Sequence, residues 1–303
     1  MQKKKVVVTG GSGFIGSHLV RALIERGFDV NAIDNFADGR IPSRLHQGAT
    51  YHERDIRDPE IKNILKGTAY VFHTAALPRV QFSIENPFDT HEVNLTGTLC
   101  LLLAAQEAGV QKVVYSASSS AYGDQKSMPL TEDMRPSPKS PYGLHKYVGE
   151  LYCKVWSEVY GLPTVSLRYF NVYGPGASAE GAYALVIAKF IKQLQEGKPM
   201  TITGDGEQTR DFTHVRDVVR ANLLAAESPN VGNGEVINIG AGKNISVKGI
   251  AELLGGPVEH IPPRLEPHDT RADISKAREL LGWEPEVSIE EGIAELKRLH
   301  NLL

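Results

Sequence analysis

Apolar positions in the first half of the chain fall into two alternating kinds of run. Short, nearly continuous blocks occur at Lys5–Gly10 (KVVVTG), Asp29–Asp34 (DVNAID), Tyr70–Ala76 (YVFHTAA) and Lys112–Ser118 (KVVYSAS). Such blocks predict strands buried on both faces. Between them, Gly13–Gly27, Asp89–Ala108 and Pro141–Tyr160 carry apolar residues at helical spacing. Strands separated by helices predict a parallel sheet with right-handed crossovers and helices on both faces. The expected fold class is α/β, with a doubly wound parallel sheet. After Pro163–Gly176 the pattern loosens. Helices are predicted near Tyr183–Glu196, Val215–Glu227, Val247–Leu254 and Ile289–Leu299, among loops rich in Gly, Pro and Asp. With no linker-like break, a smaller mixed α/β C-terminal domain of interleaved segments is expected. The first domain would span 1–170, with 210–241 returning to it, and the second 171–303.

Composition narrows the partners. The 303 residues are 41% hydrophobic, enough for a sizeable core, and no apolar stretch approaches the ~20 residues of a membrane span. The basic-then-apolar start is too short for a signal peptide. A net charge of -3 gives no support for nucleic acid as a partner. Cys100 and Cys153 lie far apart in no metal or redox spacing, so core or helix-face roles and a reducing cytoplasm are expected, with no metal.

The first chemistry appears at VTGGSGFIGSHL, where Gly10, Gly13 and Gly16 join the first strand to the first helix. Gly11 adds another permissive position. Glycines here allow a tight turn and let the backbone approach a pyrophosphate at the helix N-terminus. A plain strand–helix turn would look similar. The acid Asp34, ending the second strand, decides: it can accept from an adenosine ribose and would repel a 2′-phosphate, so NAD is expected over NADP. Asp55 is either an adenine contact or a surface-loop acid.

A second constellation lies downstream. Tyr142 and Lys146 stand four apart in SPYGLHK, where Ser140 can cap a helix with Pro141 at its first position. An ammonium near a phenol favours the phenolate, and a phenol tuned toward neutrality can take a proton from an alcohol. Ser118 ends a strand in the hydroxyl run YSASSSAYG, at the edge where parallel strands present ligands. Each element alone could be an exposed helix pair or a turn; together they form a site.

These residues, in order with HTAA, LRYFNVYGPG, GDGEQTRDF and RADISKARELLGWEP, resemble the extended short-chain dehydrogenase/reductase family, specifically its nucleotide-sugar 4-epimerases. The resemblance covers essentially the whole chain. It implies a Rossmann-type first domain, a catalytic Ser118, Tyr142 and Lys146, and a firmly held NAD. Its implied NAD contacts are Gly10, Gly13, Phe14, Ile15, Gly16, Asp34, Asn35, Asp55, Ile56, Thr74, Ala75, Ala76, Asn94, Ser116, Tyr142, Lys146 and Tyr169. Of these, Asn94 would support the site's backbone. His73 reads as a packed structural histidine.

Relatives differ at the strand-end run. Dehydratases carry Thr-Asp-Glu there and uronic acid decarboxylases keep a third-place glutamate; this chain has Ser118, Ser119 and Ser120. That set serves one proton and one hydride, hence an isomerase: C4 epimerisation through a 4-keto sugar. A uridine-diphosphate sugar would meet Val80, Ser118, Ser119, Tyr142, Asn171, Val186, Arg210, Arg264 and Thr270. The small Thr270, where glucose-restricted relatives carry tyrosine, favours UDP-GlcNAc/UDP-GalNAc, with UDP-Glc/UDP-Gal as a second pair. A UDP-glucose or UDP-glucuronate 4-epimerase is the alternative enzyme, and an NAD-binding regulatory scaffold the non-enzyme one. Surplus apolar positions on Asp89–Ala108 and Pro141–Tyr160 imply a homodimer through a four-helix bundle, or else intramolecular packing.

Overall fold

The computed structural model describes residues 3–37, 39–179, 185–262 and 269–302. The first six strands are β1 (Lys5–Thr9), β2 (Asp29–Asp34), β3 (Ala49–Glu53), β4 (Thr68–His73), β5 (Lys112–Ser118) and β6 (Thr164–Tyr169). They join the strand Asn233–Ile239 in one sheet, ordered Asn233–Ile239, β6, β5, β4, β1, β2, β3. Every pairing is parallel. The chain winds outward from β1 through β2 to β3, then restarts at β4 on the other side. That reversal opens a crevice at the carboxyl ends of β1 and β4, the place where open α/β sheets take ligands.

The period of two in β1 builds both layers. Val6 and Val8 pack with Leu19, Val20 and Leu23 of α1 (Phe14–Glu25) and with Val218 and Ala221 of the helix Val215–Glu227. Val7 points the other way, toward Leu101, Leu102 and Ala105 of a helix across the sheet, with Cys153 and Trp156. All three valines are fully buried, worth about 1.5–3 kcal/mol each. The remaining helices of the first half are α2 (Ile61–Leu65), α3 (Val80–Glu85), α4 (Pro87–His91), α5 (Gly97–Glu107) and α6 (Pro141–Tyr160).

Two elements differ from the sequence pattern. β4 ends at His73, so Thr74–Ala76 leave the sheet and enter the crevice. The helix expected over Asp89–Ala108 is broken: α4 and α5 are separated by a π-helical turn, Glu92–Thr96. Pro87 opens α4. Gly97 lets α5 close on the strand-end loop, since a Cβ there would lie 2.5 Å from Ile56 Cδ1.

The smaller region has its own core, with Ile187, Phe190, Met200, Ile202, Ile250 and Ile293 among its buried members. Its strands are short pairs: Val172–Tyr173 with Thr213–His214, Thr209–Arg210 with Ile245–Ser246, and Met200–Thr203 with Val258–Ile261. The helices Val215–Glu227, Val247–Leu254 and Ile289–Leu299 have the predicted limits; the helix expected over Tyr183–Glu196 is observed from Val186 to Gln195, residues 183 and 184 lying outside the described set. Among the described residues, no helix is long and apolar enough to cross a membrane.

Candidate active site

The glycine loop is shaped by contacts only hydrogen can make. Gly10 has φ +68°, and a Cβ on it would lie 2.8 Å from the Ala75 backbone. A Cβ on Gly16 would lie 2.0 Å from the Gly10 carbonyl oxygen. Gly13 is the N-cap of α1, with no side-chain cap and no acid in the first turn. The helix therefore presents unsatisfied N–H groups and a positive dipole end to the crevice, suited to a pyrophosphate. Phe14 stands edge-on to His18, and Ile15 packs against the core.

Asp34 stands where the sequence placed it. Its Oδ2 accepts from Ser12 N–H at 2.9 Å and its Oδ1 from Phe36 N–H at 2.8 Å. A carboxylate has lone pairs beyond these two, so it can also accept from a ribose. The neighbouring Asn35 caps Ala37 N–H. These features fit NAD. Asp55 is more committed: it accepts from the Arg57 amide, Nε and Nη2 at 2.8–2.9 Å, and the guanidinium holds its carboxyl below the usual range. The Ile56 side chain belongs to the core, leaving its main chain for the cleft.

A polar lattice sets the crevice wall. Thr74 Oγ1 donates to Thr9 O at 2.6 Å, and Ala75 N–H donates to Thr9 Oγ1 at 3.3 Å. Asn94, buried in the π turn, accepts from Leu77 N–H at 2.7 Å and donates to Leu77 O at 3.0 Å. One amide thus clamps the loop that carries Thr74–Ala76. His73 is packed, bonded through Nδ1 to Thr9 and Nε2 to Thr98, and burial pushes it down to about 3.

Helix α6 carries the second constellation. Ser140 Oγ accepts from Gly143 N–H, Pro141 starts the helix, and Gly161 at φ +67° ends it. Tyr142 is half-buried, and the Ser118 side chain at the end of β5 is near enough to its phenol to oppose the effect of burial. Ser118 Oγ in turn accepts from Ser120 N–H at 3.2 Å and Ser120 Oγ at 2.8 Å. Ser119 opens the short turn Ser119–Ala121. Lys146 is buried; its Nζ donates to Ser116 O at 2.7 Å and lies 5.0 Å over the Tyr115 ring. The helix seats closely there, because a Cβ on Gly149 would lie 2.2 Å from Tyr115 Oη.

The electrostatics correct one expectation. Burial raises the Tyr142 phenol, with Ser118 opposing, so spacing from Lys146 alone does not ionise it. The ammonium is drawn to a carbonyl, and burial lowers Lys146 to about 8, with Glu150 one turn on opposing that shift. Glu150 is itself locked to Arg168 by two bonds of 2.8 and 2.7 Å. Ser116 Oγ bonds the Tyr169 hydroxyl at 3.1 Å, and Tyr169 continues to Asn222.

Candidate substrate residues gather elsewhere. Asn171, at φ +27°, donates from Nδ2 to Asp211 O at 2.9 Å. Arg210 Nη1 donates to Thr209 O, and Thr270 N–H donates to Thr209 O at 3.2 Å. Val80 is exposed at the start of α3, and Val186 opens its helix half-buried. Arg264 lies outside the described residues. The sequence reading missed Thr9, Ser83 and Asp211. Ser83 accepts from Tyr142 N–H at 3.1 Å and so ties α3 to the start of α6. No local pattern marks such residues, since their partners are dozens of positions away.

A phenol, a hydroxyl and a buried ammonium at the carboxyl ends of parallel strands, beside a dinucleotide-shaped loop, define enzymes that move one proton and one hydride. Residues 6–240 match the NAD dependent epimerase/dehydratase family, and the chain belongs to it. It resembles a UDP-N-acetylglucosamine 4-epimerase from Methanobrevibacter ruminantium M1 in complex with UDP-N-acetylmuramic acid: 37% identity, TM-score 0.91, 99% of this chain and 100% of that one. It resembles a Thermotoga maritima UDP-glucose 4-epimerase with UDP-glucose: 40% identity, TM-score 0.90, 97% and 99% covered. It is also 37% identical to a UDP-glucuronate 4-epimerase of Thermodesulfobacterium geofontis, over 95% of this chain and 93% of that one. Three sugars at nearly equal likeness leave the choice to the site.

Proposed function

We propose that the chain reversibly inverts C4 of a UDP sugar, with UDP-GlcNAc/UDP-GalNAc as the preferred pair and UDP-Glc/UDP-Gal as a second. The observation that carries the reading is a strand-end run of three serines with no carboxylate, Ser118 held by Ser120 and facing Tyr142, with the buried Lys146 one turn further along the same helix. Such a site can exchange the O4 proton but lacks the extra acid and base that elimination needs. NAD, when bound, supplies the hydride acceptor and donor for C4.

The protein's part follows from its geometry. Tyr142 takes the O4 proton and later returns it. Ser118 donates to the same oxygen as charge shifts onto it. Lys146 keeps two donors beyond its bond to Ser116 O, enough for a ribose hydroxyl and the phenolate. Gly10, Gly13, Gly16 and Asp34 would hold the pyrophosphate and adenosine ribose. Asn171 and Arg210 would take the sugar nucleotide's diphosphate, Arg210 through its planar fork, and the family resemblance adds Arg264 to that role.

Thr270 supports the acetamido sugar. It is small where glucose-restricted relatives carry a tyrosine, and its hydroxyl accepts from Asp211 N–H at 3.4 Å. Thr270→Tyr should cut turnover of UDP-GlcNAc relative to UDP-Glc by about 10–200-fold, the usual scale of pocket-size discrimination. The decisive assay is NMR of the protein incubated separately with UDP-GlcNAc, UDP-Glc and UDP-GlcA. Inversion of UDP-GlcA alone would overturn the sugar assignment, and inversion of none would overturn the activity.

A homodimer is part of the proposal. Leu144, Leu151, Val155 and Val159 of α6 are exposed along one stripe, beside Leu103 of α5. Covering them with a second copy is the natural use of such a face. Sedimentation at micromolar concentration checks it. The free Cys100 and Cys153 suit a reducing cytoplasm.

A further inference from the structure

Three main-chain N–H groups from two distant segments converge on Asp211, which has no exposed surface. Ala241 N–H donates to Oδ1 at 2.6 Å, while Gly242 and Ala272 N–H both donate to Oδ2 at 3.0 Å. The Asp211 peptide completes the junction: its carbonyl accepts from Asn171 Nδ2 and its N–H donates to Thr270 Oγ1. Arg210 is its chain neighbour. Gly240 presses on the same group, since a Cβ there would lie 2.9 Å from Asp211 Oδ2 and 2.5 Å from Ala272 Cβ.

Converging donors require a side chain with acceptors only. An asparagine of the same size could keep its oxygen for Gly242 and Ala272, but its NH2 would then face the Ala241 N–H, donor against donor. Burying a carboxylate is costly, and this one is spent on joining the segments that carry the substrate-side residues.

We propose that Asp211 is the positioning residue for the diphosphate end of the substrate site. Its buried carboxylate fixes Asn171, Arg210 and Thr270 relative to one another. The inference rests on the reading of Asn171 and Arg210 as diphosphate contacts. Asp211 touches no reacting atom, so it acts on binding and leaves the chemical step alone.

The test uses Asp211→Asn as NAD-loaded protein, comparing KM, kcat, NAD content and UDP affinity by calorimetry with wild type. Losing one buried acceptor should raise KM and the UDP Kd about tenfold, with kcat and NAD content held within about twofold. Unchanged UDP affinity overturns the proposal, and so does a loss of kcat and NAD in step with KM, which marks a general structural role. If Asp211→Asn does not fold, Gly240→Ala decides on the same criteria, because it displaces the carboxylate without changing its charge. Arg210→Ala separates the two readings. Unchanged UDP affinity there refutes the diphosphate assignment itself; weakened affinity there, with Asp211→Asn like wild type, refutes only the positioning role.

Discussion

The two halves of the site are built by different means. On the chemical side, Ser118 and Tyr142 stand at the end of a seven-stranded parallel sheet and on a twenty-residue helix, elements that pack into the same buried core. On the proposed sugar-nucleotide side, Arg210 sits on a two-residue strand, and Thr270 and Asn171 lie outside regular structure. There a single buried carboxylate and a few side-chain-to-backbone bonds do what the sheet does elsewhere. On that proposal, regular structure holds the shared chemistry, and individually substitutable contacts hold the part that would meet the variable ligand.

Substitutions can sharpen or break that contrast. The largest effect is expected for Tyr142→Phe, which removes the proton carrier and should lower kcat by about 10²–10⁴-fold while NAD stays bound. Turnover near wild type would remove the phenol from the mechanism. Next comes Glu150→Gln, which strands the Arg168 guanidinium at 3% side-chain exposure and should cost about 3–5 kcal/mol in denaturant unfolding. Glu25→Gln, in the exposed pair with Arg21, should cost under about 1 kcal/mol. Equal costs would mean the sheet side does not depend on its buried pair.

A separate test is a pH slope. Burial lowers His73 to about 3 and His214 to about 4, against an unfolded value of 6.5. Below 6.5 the unfolded chain binds protons that the folded chain refuses. Stability is therefore full above 6.5 and falls as the pH drops toward 3, by at most about 1.4 kcal/mol per pH unit for each histidine. Urea midpoints between pH 7 and 4.5 measure it, and His73→Asn should flatten the slope.

Much of this was legible in the sequence, for a physical reason. Strands β2 and β5 and the helix Val215–Glu227 end at the predicted residues because period and caps are local signals. The meeting of Ser118 with Tyr142 could be anticipated from strand ends and helix spacing. The break at Glu92–Thr96 could not, since apolar spacing runs on through it while Asn94 turns to a loop seventeen positions back. The Asp211 junction was equally hidden: Ala272 is sixty-one residues away and donates only a main-chain amide. The direction of the phenol shift failed for a related reason. Helical spacing brings Lys146 near, but a carbonyl on another element claims its proton donor.

The seat of Gly149 on Tyr115 has a consequence for how this scaffold can vary. The missing methyl acts as a spacer gauge, setting the height of α6 above β5 and hence how far the phenol stands from the serine run. Enlarging that one position to alanine would lift the whole rod by the thickness of a methyl group, detuning the reaction from a point that touches neither sugar nor coenzyme.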